Sequence, residues 1–254
     1  MPGDVGRVVA LGASNLTRGF QTVVSSARSG WGPEVEVMAA CGHGRSYGAP
    51  SRFLFRTLPS ILKSGLWAEL EQRPHVVTRA LVTDVGNDIL YGFSVARILD
   101  WVEKVLVRLK VVTNDIVLTD LPLASVHRLS NPKFLAFRSI LVPSCRLSLT
   151  QVTDRAEHVN DGLATLATAY GAKFFRLDPA WYGFDPIHMR PSRWRNAWEQ
   201  ILGAQSVSGR NVGSVIESLK LYMMRPERRW IFGMEQVSLQ SGVALRSGGH
   251  VWLY

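Results

Sequence analysis

Residues 8–19 read Val-Val-Ala-Leu-Gly-Ala-Ser-Asn-Leu-Thr-Arg-Gly, and this stretch indicates how the chain folds. The apolar run at its start predicts a buried strand, and Gly12 allows a sharp turn where that strand ends. Ser14 then lies at the start of a predicted helix, for which Asn15 and Thr17 are good capping residues. A serine between a buried strand and a helix N-terminus is well placed for chemistry. The same arrangement also occurs in phosphate-binding turns and in purely structural turns.

Four more apolar segments predict strands, and helical patterns lie between them. The further strands are predicted at residues 35–40, 76–83, 115–121 and 173–177. Helices are predicted at residues 20–27, 95–109, 132–141, 156–170 (ending at Gly171) and 194–201, with two short helices within 53–70. Strands that alternate with helices predict an α/β fold, doubly wound, with a mostly parallel five-stranded sheet and helices on both faces.

The character of the chain changes at about Gly203. Glycine-, serine- and arginine-rich pieces follow, with short strands predicted near the C-terminus. We therefore expect an α/β domain over residues 1–203 and a small β-containing appendage over residues 204–254. Apolar residues mixed with arginines between 222 and 232 suit a dimer interface, an anionic membrane surface or a cover over the catalytic edge, or else simple packing on the main domain. We expect an appendage packed on protein, with self-association favoured over membrane binding.

Composition narrows the class of protein. The chain of 254 residues carries 29 Lys and Arg against 20 Asp and Glu, a net charge of +9 that suits anionic partners. No nucleic-acid-binding motif accompanies the charge, so we expect no nucleic-acid partner. Two cysteines predict reduced thiols, and no histidine pair has metal-ligand spacing, so no metal or cofactor is expected. No leader and no apolar run of about 18 residues is seen, which predicts a cytoplasmic protein without a transmembrane segment.

Polar clusters follow four of the predicted strands, so they should meet at one edge of a parallel sheet, where ligands bind. Ser14 follows the first strand, the glycine-rich loop with Gly42 and Gly44 the second, and Asn87 the third. Asp185 and His188 follow the fifth strand, spaced so that the carboxylate can orient the imidazole. Each signal alone is weak, because Asp-x-x-His and Gly-Asn-Asp are also common in turns and caps.

These clusters resemble the blocks of the SGNH (GDSL-type) hydrolase family. The first block, Gly-Asp-Ser-Leu, is similar to residues 12–15, Gly-Ala-Ser-Asn. The second-block glycine matches Gly44, or less well Gly42, and the third block, Gly-x-Asn-Asp, resembles residues 85–88. The fifth block, Asp-x-x-His, matches residues 185–188 without change. The resemblance spans about residues 7 to 203.

The resemblance implies hydrolysis of an ester or thioester through a serine acyl-enzyme. Ser14 would be the nucleophile, with Asp185 and His188 completing the catalytic triad. The oxyanion hole would be formed by the Ser14 N–H, the Gly44 N–H and the Asn87 amide. Two positions depart from the family pattern: Ala13 replaces the family's aspartate, and Val85 replaces its glycine. Neither position supplies the nucleophile, the base or an oxyanion donor. The departures therefore bear on loop geometry and substrate class.

Other functions use the same residues or none of them. An O-acyltransferase would use the same set, and a non-catalytic SGNH-like binding module would use none of it. A nucleotide-binding flavodoxin-like domain is disfavoured because no Gly-x-Gly-x-x-Gly follows the first strand. If the chain is an esterase, its expected partner is its substrate, a small-molecule acyl ester. Trp181, Tyr182 and Phe184 precede Asp185, so they are predicted either to border the substrate or to pack in the core.

Overall fold

The computed structural model describes residues 6–204, 215–245 and 248–254, and a central parallel sheet organises them. The strands are β1 (Arg7–Leu11), β2 (Glu36–Ala40), β3 (Ser51–Phe53), β4 (Arg56–Leu58), β5 (Thr78–Val82), β6 (Asp115–Thr119), β7 (Lys173–Phe175), β8 (Arg228–Ile231), β9 (Met234–Val237), β10 (Val243–Ala244) and β11 (His250–Leu253). The central sheet has the order β10-β11-β2-β1-β5-β6-β7. All its pairs are parallel except β10 with β11.

Helices cover both faces of this sheet. They are α1 (Ser14–Arg18), α2 (Phe20–Trp31), α3 (Leu66–Gln72), α4 (Asn87–Leu90), α5 (Val95–Val112), α6 (Leu123–Val126), α7 (Asn131–Leu141), α8 (Leu149–Tyr170), α9 (Trp194–Leu202) and α10 (Val215–Tyr222). Short 3₁₀ helices lie at Ile61–Lys63, Pro179–Trp181 and Pro191–Arg193. In the part of the chain described, no helix has the length and hydropathy to cross a membrane.

The side chains of β1 explain why its sequence is continuously apolar. Val9 and Leu11 pack in the core under α5 and α8, whereas Val8 and Ala10 pack in the core under α2 and α9. Both faces of a parallel strand are covered in this way, so alternation with polar residues is lost. The predicted α/β class with a mostly parallel sheet is confirmed.

The predicted number of strands was wrong, because the central sheet has seven strands instead of five. The two additional strands are β10 and β11, and β11 pairs in parallel with β2 through Val251 opposite Val37. The C-terminal segment therefore completes the edge of the central sheet. The proposed domain boundary at 203 and 204 borders residues 205–214, which lie outside the described part, and it stays a prediction.

A second, smaller sheet has the order β3-β4-β8-β9 and is antiparallel throughout. The prediction of two short helices within residues 53–70 is confirmed for the second part of that range, by the 3₁₀ helix Ile61–Lys63 and by α3, and was wrong for residues 53–58, which form part of a hairpin. The apolar run gave no clear period, and the pairing partner β8 lies far along the chain. Pairing of Arg56 with Ile231 therefore decided the local structure.

Candidate active site

The turn after β1 presents Ser14 as the first residue of α1. Gly12 is required at this turn, because a Cβ there would lie 2.8 Å from a side-chain carbon of the residue after β5. Ser14 is half-buried, and its Oγ accepts a hydrogen bond from the Gly44 backbone N–H at 3.3 Å. The loops after β1 and β2 therefore meet at this serine, as expected at the carboxyl edge of a parallel sheet.

Asp84, in the loop after β5, supports the start of α1. Its Oδ2 accepts from the N–H groups of Ala13 at 3.0 Å and Leu16 at 3.1 Å, and its Oδ1 accepts from Asn15 Nδ2 at 2.9 Å. These bonds satisfy N–H groups that a helix leaves free in its first turn. Asp84 has a φ of 60°, a left-handed conformation that is unfavourable for a non-glycine residue. No sequence pattern marks this carboxylate as a support for the Ser14 turn.

Asp185 and His188 form a hydrogen-bonded pair in the loop after β7. His188 Nδ1 lies 2.7 Å from Asp185 Oδ2. Burial raises the pKa of Asp185, but hydrogen bonds from the His188 ring and from the Ile187 and His188 backbone N–H groups outweigh it, so this pKa lies below its ordinary value. An ionised Asp185 makes Nδ1 the donor, which leaves Nε2 free to accept a proton.

The side chain of Asn15 joins the Ser14 turn to this loop. Asn15 Nδ2 donates to Ile187 O at 2.8 Å, and Asn15 Oδ1 accepts from Met189 N at 2.8 Å. The two partners are the residues on either side of His188. Asn15 is only 7% exposed, so the bonds are shielded from water. We call this arrangement the Asn15 bridge; it sets where His188 lies relative to Ser14, although no hydrogen bond joins the Ser14 hydroxyl to the His188 ring among the described residues.

Gly44 adopts a φ of 67°, in the left-handed region that favours glycine. A Cβ at this position would also lie 2.6 Å from the Tyr91 hydroxyl, which donates to Gly44 O. Gly42, the alternative oxyanion glycine, instead packs closely against Leu58, where a Cβ would lie 2.2 Å from Cδ1. Of the two glycines, Gly44 is the one whose N–H contacts Ser14, and its role as an oxyanion donor stays a prediction.

Two buried charged side chains support the loop that carries Gly44. Arg45 is fully buried and donates to Pro59 O at 3.0 Å, to Cys41 O at 3.2 Å and also to Tyr254 O. Burial lowers the pKa of Arg45 to about 10. These contacts connect the loop to the C-terminal segment.

Asp88 accepts from the Tyr47 backbone N–H at 3.0 Å, and its own side chain is fully buried. Burial raises the pKa of this carboxyl to about 6. The Tyr47 hydroxyl in turn donates to Thr83 O at 2.6 Å. This chain of bonds ties the Gly44 loop to the ends of the central strands, and neither Arg45 nor Asp88 stood out in the sequence as a support.

A cavity of about 120 Å³ opens beside Ser14, Asn87 and His188. Much of its wall is apolar and comes from α4, α6, α7, α8 and the loop after β6. Its apolar lining includes Leu90, Leu121, Val126, Phe134, Val152 and Ala156. Asp120 also borders it, and burial raises the pKa of this carboxyl to about 6 while its Oδ1 accepts from Leu177 N at 2.8 Å. The site therefore combines a polar end at Ser14 with an apolar interior.

The three aromatic residues before Asp185 lie in different surroundings. Trp181 and Tyr182 are 2% and 5% exposed and pack in the core beneath α2 and α9. Phe184 is 77% exposed, and its ring centroid lies 5.9 Å from that of Phe137, which borders the cavity. A role in substrate binding stays a prediction for all three.

Comparisons with known proteins establish a likeness in fold. No family model matches the chain, and no curated protein matches its sequence. The native M. smegmatis aryl esterase is 12% identical with a TM-score of 0.51, covering 78% of this chain and 100% of the esterase. Its inhibitor-bound form is 13% identical with a TM-score of 0.50, at the same coverage of 78% and 100%.

The psychrotrophic esterase EstA from Pseudoalteromonas sp. also matches, with 13% identity, a TM-score of 0.47, and coverage of 78% of this chain and 97% of that chain. At these identities the likeness concerns the fold. The chain therefore shares its α/β fold with esterases of the GDSL/SGNH type.

Proposed function

We propose that the chain is an ester hydrolase that acts through a serine acyl-enzyme. Ser14 is the nucleophile, His188 the general base and Asp185 the carboxylate that orients the imidazole. One observation carries this proposal: the 2.7 Å pair of Asp185 and His188 is joined by the Asn15 bridge to the turn of Ser14, whose Oγ meets the Gly44 N–H at 3.3 Å.

The reaction begins when Ser14 Oγ attacks the acyl carbonyl carbon and its proton passes to His188 Nε2. The carbonyl oxygen becomes an oxyanion that accepts hydrogen bonds from the Gly44 N–H, the Ser14 N–H and Asn87 Nδ2. The C–O bond of the ester then breaks, and the leaving alkoxide takes the proton from His188. Water activated by the same imidazole hydrolyses the acyl-Ser14 ester and releases the acid. Before attack, the Ser14 side chain turns from Gly44 toward His188, a contact that commonly tightens only with substrate bound.

Because the cavity is lined mainly by apolar side chains, we propose that it binds the acyl group of the ester and that this group is apolar. Each methylene moved from water into such a cavity contributes about 0.8 kcal/mol. That free energy corresponds to about fourfold in kcat/KM for each added methylene until the cavity is filled. Asn87 and His188 at the polar end leave room for the ester carbonyl beside Ser14.

A serine-directed phosphonate tests the nucleophile. We expect one phosphonate per chain on Ser14, found by mass spectrometry, together with loss of esterase activity. Ser14→Ala should abolish both labelling and turnover, while Ser139→Ala, on an exposed residue of α7, should leave both unchanged. Labelling of another residue, or full turnover by Ser14→Ala, contradicts the proposal.

A series of p-nitrophenyl esters of graded acyl length tests the cavity. Ala156 is 5% exposed and borders the cavity from α8. Ala156→Leu should shift the best substrate toward shorter acyl chains and leave the rate of phosphonate labelling unchanged. An unchanged chain-length profile would mean that the acyl group binds elsewhere.

A further inference from the structure

The tips of the two hairpins in the small sheet expose a cluster of large apolar side chains. We call Leu54, Phe55, Phe232 and Met234 the tip cluster. They are 69%, 49%, 75% and 65% exposed, respectively. The rings of Phe55 and Phe232 stack with centroids 5.0 Å apart, and the Phe232 N–H donates to Phe55 O at 3.0 Å. The two tips therefore form one convex apolar surface, of the kind that marks an interaction site.

The backbone at both tips is unfavourable for the residues present. Leu54 has a φ of 55° and Phe232 a φ of 50°, both in the left-handed region. Glycine adopts this conformation without steric cost, whereas a leucine or phenylalanine does not. Folding alone would thus favour glycine at both positions. Large apolar residues at these strained, exposed tips point to a function outside the fold.

Several arginines in and beside the small sheet have no acidic partner in the part of the chain that the structure describes, and one of them, Arg52, donates from Nε to Leu54 O at 3.0 Å. Among the described residues, no carboxylate lies within ion-pair distance of Arg52, Arg56, Arg225 or Arg229, whereas Arg228 pairs with Glu235 at 3.3 Å. We call these four the free arginines. Burial and the neighbouring Arg225 lower the pKa of Arg229, and burial and Arg229 lower that of Arg56. This concentration of like charge is relieved by an external anion.

The tip cluster adjoins the candidate active site. Phe53, in the same hairpin as Leu54, has its ring centroid 5.4 Å from that of His43, the neighbour of Gly44. A Cβ built on Gly44 would lie 3.9 Å from Phe53, so the hairpin contacts the loop beside Ser14. A ligand at the tip cluster therefore lies close to the loop that carries Gly44.

We propose that the tip cluster and the free arginines bind the surface of an anionic lipid bilayer. The apolar tips would enter the interfacial region, and the exposed guanidinium groups, first that of Arg52 beside Leu54, would contact anionic headgroups, whereas Arg56 adds only its charge from behind the surface. A second copy of the chain is a poorer occupant, because a two-fold interface would bring the same free arginines of both copies together on a chain of net charge +9. Binding is measured without an ester substrate, so the proposal stands or fails separately from the ester-hydrolase proposal.

Co-sedimentation of the full chain with vesicles tests this inference. Wild type should bind vesicles of phosphatidylcholine and phosphatidylglycerol in equal parts, bind pure phosphatidylcholine much more weakly, and dissociate in high salt. The double variant Leu54→Gly with Phe232→Gly should bind at least about tenfold more weakly. Its Tm should stay at or above that of wild type, because glycine relieves the left-handed strain. Arg52→Gln with Arg229→Gln should weaken binding by roughly thirtyfold.

Matched controls come from α5, outside the small sheet. Val111, near the end of α5, is 77% exposed, so Val111→Ser removes a comparable apolar side chain and should leave binding unchanged. Lys104→Gln with Lys110→Gln removes an exposed and a half-buried charge elsewhere on α5 and should weaken binding far less than the arginine pair. Equal binding to both kinds of vesicle, or wild-type binding by the double glycine variant, overturns the proposal. The proposal is also overturned if wild type does not bind vesicles but forms a dimer in analytical sedimentation and the double glycine variant is monomeric. That result would indicate self-association through the tip cluster.

Discussion

Replacing Asn15 by alanine tests whether the Asn15 bridge positions His188 for catalysis. The change removes the hydrogen bonds to Ile187 O and Met189 N, both of 2.8 Å, and the bond to Asp84 Oδ1 of 2.9 Å. Three polar groups lose a partner at a side chain that is 7% exposed. The backbone on both sides of His188 then loses its hydrogen bonds to α1, and the ion pair of Arg18 with Asp185 at 3.8 Å remains between α1 and this loop.

The size of the effect follows from these bonds. A buried polar group left without a partner costs about 1–3 kcal/mol, and water will reach some of these groups. We therefore expect a loss of about 2–4 kcal/mol in the free energy of unfolding. A displacement of about 1 Å in the imidazole can cost about 100-fold in rate, so kcat should fall by that order with a smaller change in KM.

Asn15→Asp separates charge from size. It keeps an acceptor for the Met189 N–H but places a carboxylate against Asp84 and the Ile187 carbonyl, so its loss of kcat should equal or exceed that of alanine. Asn160→Ala is a matched control, because it also removes a bond to the backbone, that from Leu121 N at 3.0 Å, without touching the His188 loop.

The assay is steady-state ester hydrolysis at a temperature where circular dichroism finds each variant fully folded. Asn160→Ala should lose stability yet keep kcat within about threefold, whereas Asn15→Ala should lose both. If folded Asn15→Ala keeps wild-type kcat, the bridge stabilises the fold without positioning the base, and the reasoning is refuted.

Titration, substitution and truncation test other parts of the molecule. The folded pKa of Asp88 is about 6 against an ordinary 3.8, so the folded chain binds an additional proton between these values and stability should fall as pH rises through them. Asp88 contributes at most about 3 kcal/mol of this fall, which urea unfolding of Asp88→Asn against wild type should measure, and Asp120, with a pKa of about 6 as well, contributes a fall of the same sign that remains in the variant. Phe184→Ala should change acyl-chain preference with little change in Tm, whereas Trp181→Ala should lower Tm by several degrees; the reverse pattern would exchange their roles. A chain ending at Gly203 lacks β11 and the Tyr254 carbonyl that accepts from Arg45, so we expect it to unfold at a lower temperature. Wild-type stability and phosphonate labelling of that truncated chain would instead support a separate C-terminal unit.

Local patterns predicted the elements whose partners are close along the chain. The apolar spacing in residues 95–109 and 156–170 predicts helices that the structure has as α5 and α8. Gly171 ends α8 with a φ of 62°, as expected for a glycine in the left-handed region. In these elements propensity, spacing and capping agree, so tertiary contacts did not need to override them.

Pairing between distant segments was not predictable in the same way. The local pattern of residues 56–58 does not distinguish a strand from a helix. These residues form a strand because β8 offers an edge with which they pair. The C-terminal strand β11 lies beside β2, although the sequence between them spans most of the chain. Strand partners are chosen by burial and by free edges, which a local pattern does not contain.

Some residues of the candidate site could be predicted from local sequence, and others could not. Ser14, Gly44, Asn87, Asp185 and His188 were predictable as candidates, because each follows a strand and the motif order resembles that of a known family. Their catalytic roles remain the proposal that the phosphonate experiment tests. Asn15 could have been found from one signal: a polar residue stands where the family's first block has leucine.

The sequence by itself determined the α/β class, the turn at Ser14 and the order of the polar loops, because these depend on local periodicity and on the geometry of parallel strands. Only the tertiary structure decided that Asp84 supports α1, that Asn15 spans the residues around His188, and that the two hairpin tips meet. Each of these depends on side chains from separate loops coming within hydrogen-bond or ring-contact distance. Such distances result from how all the elements pack together, which no single segment encodes.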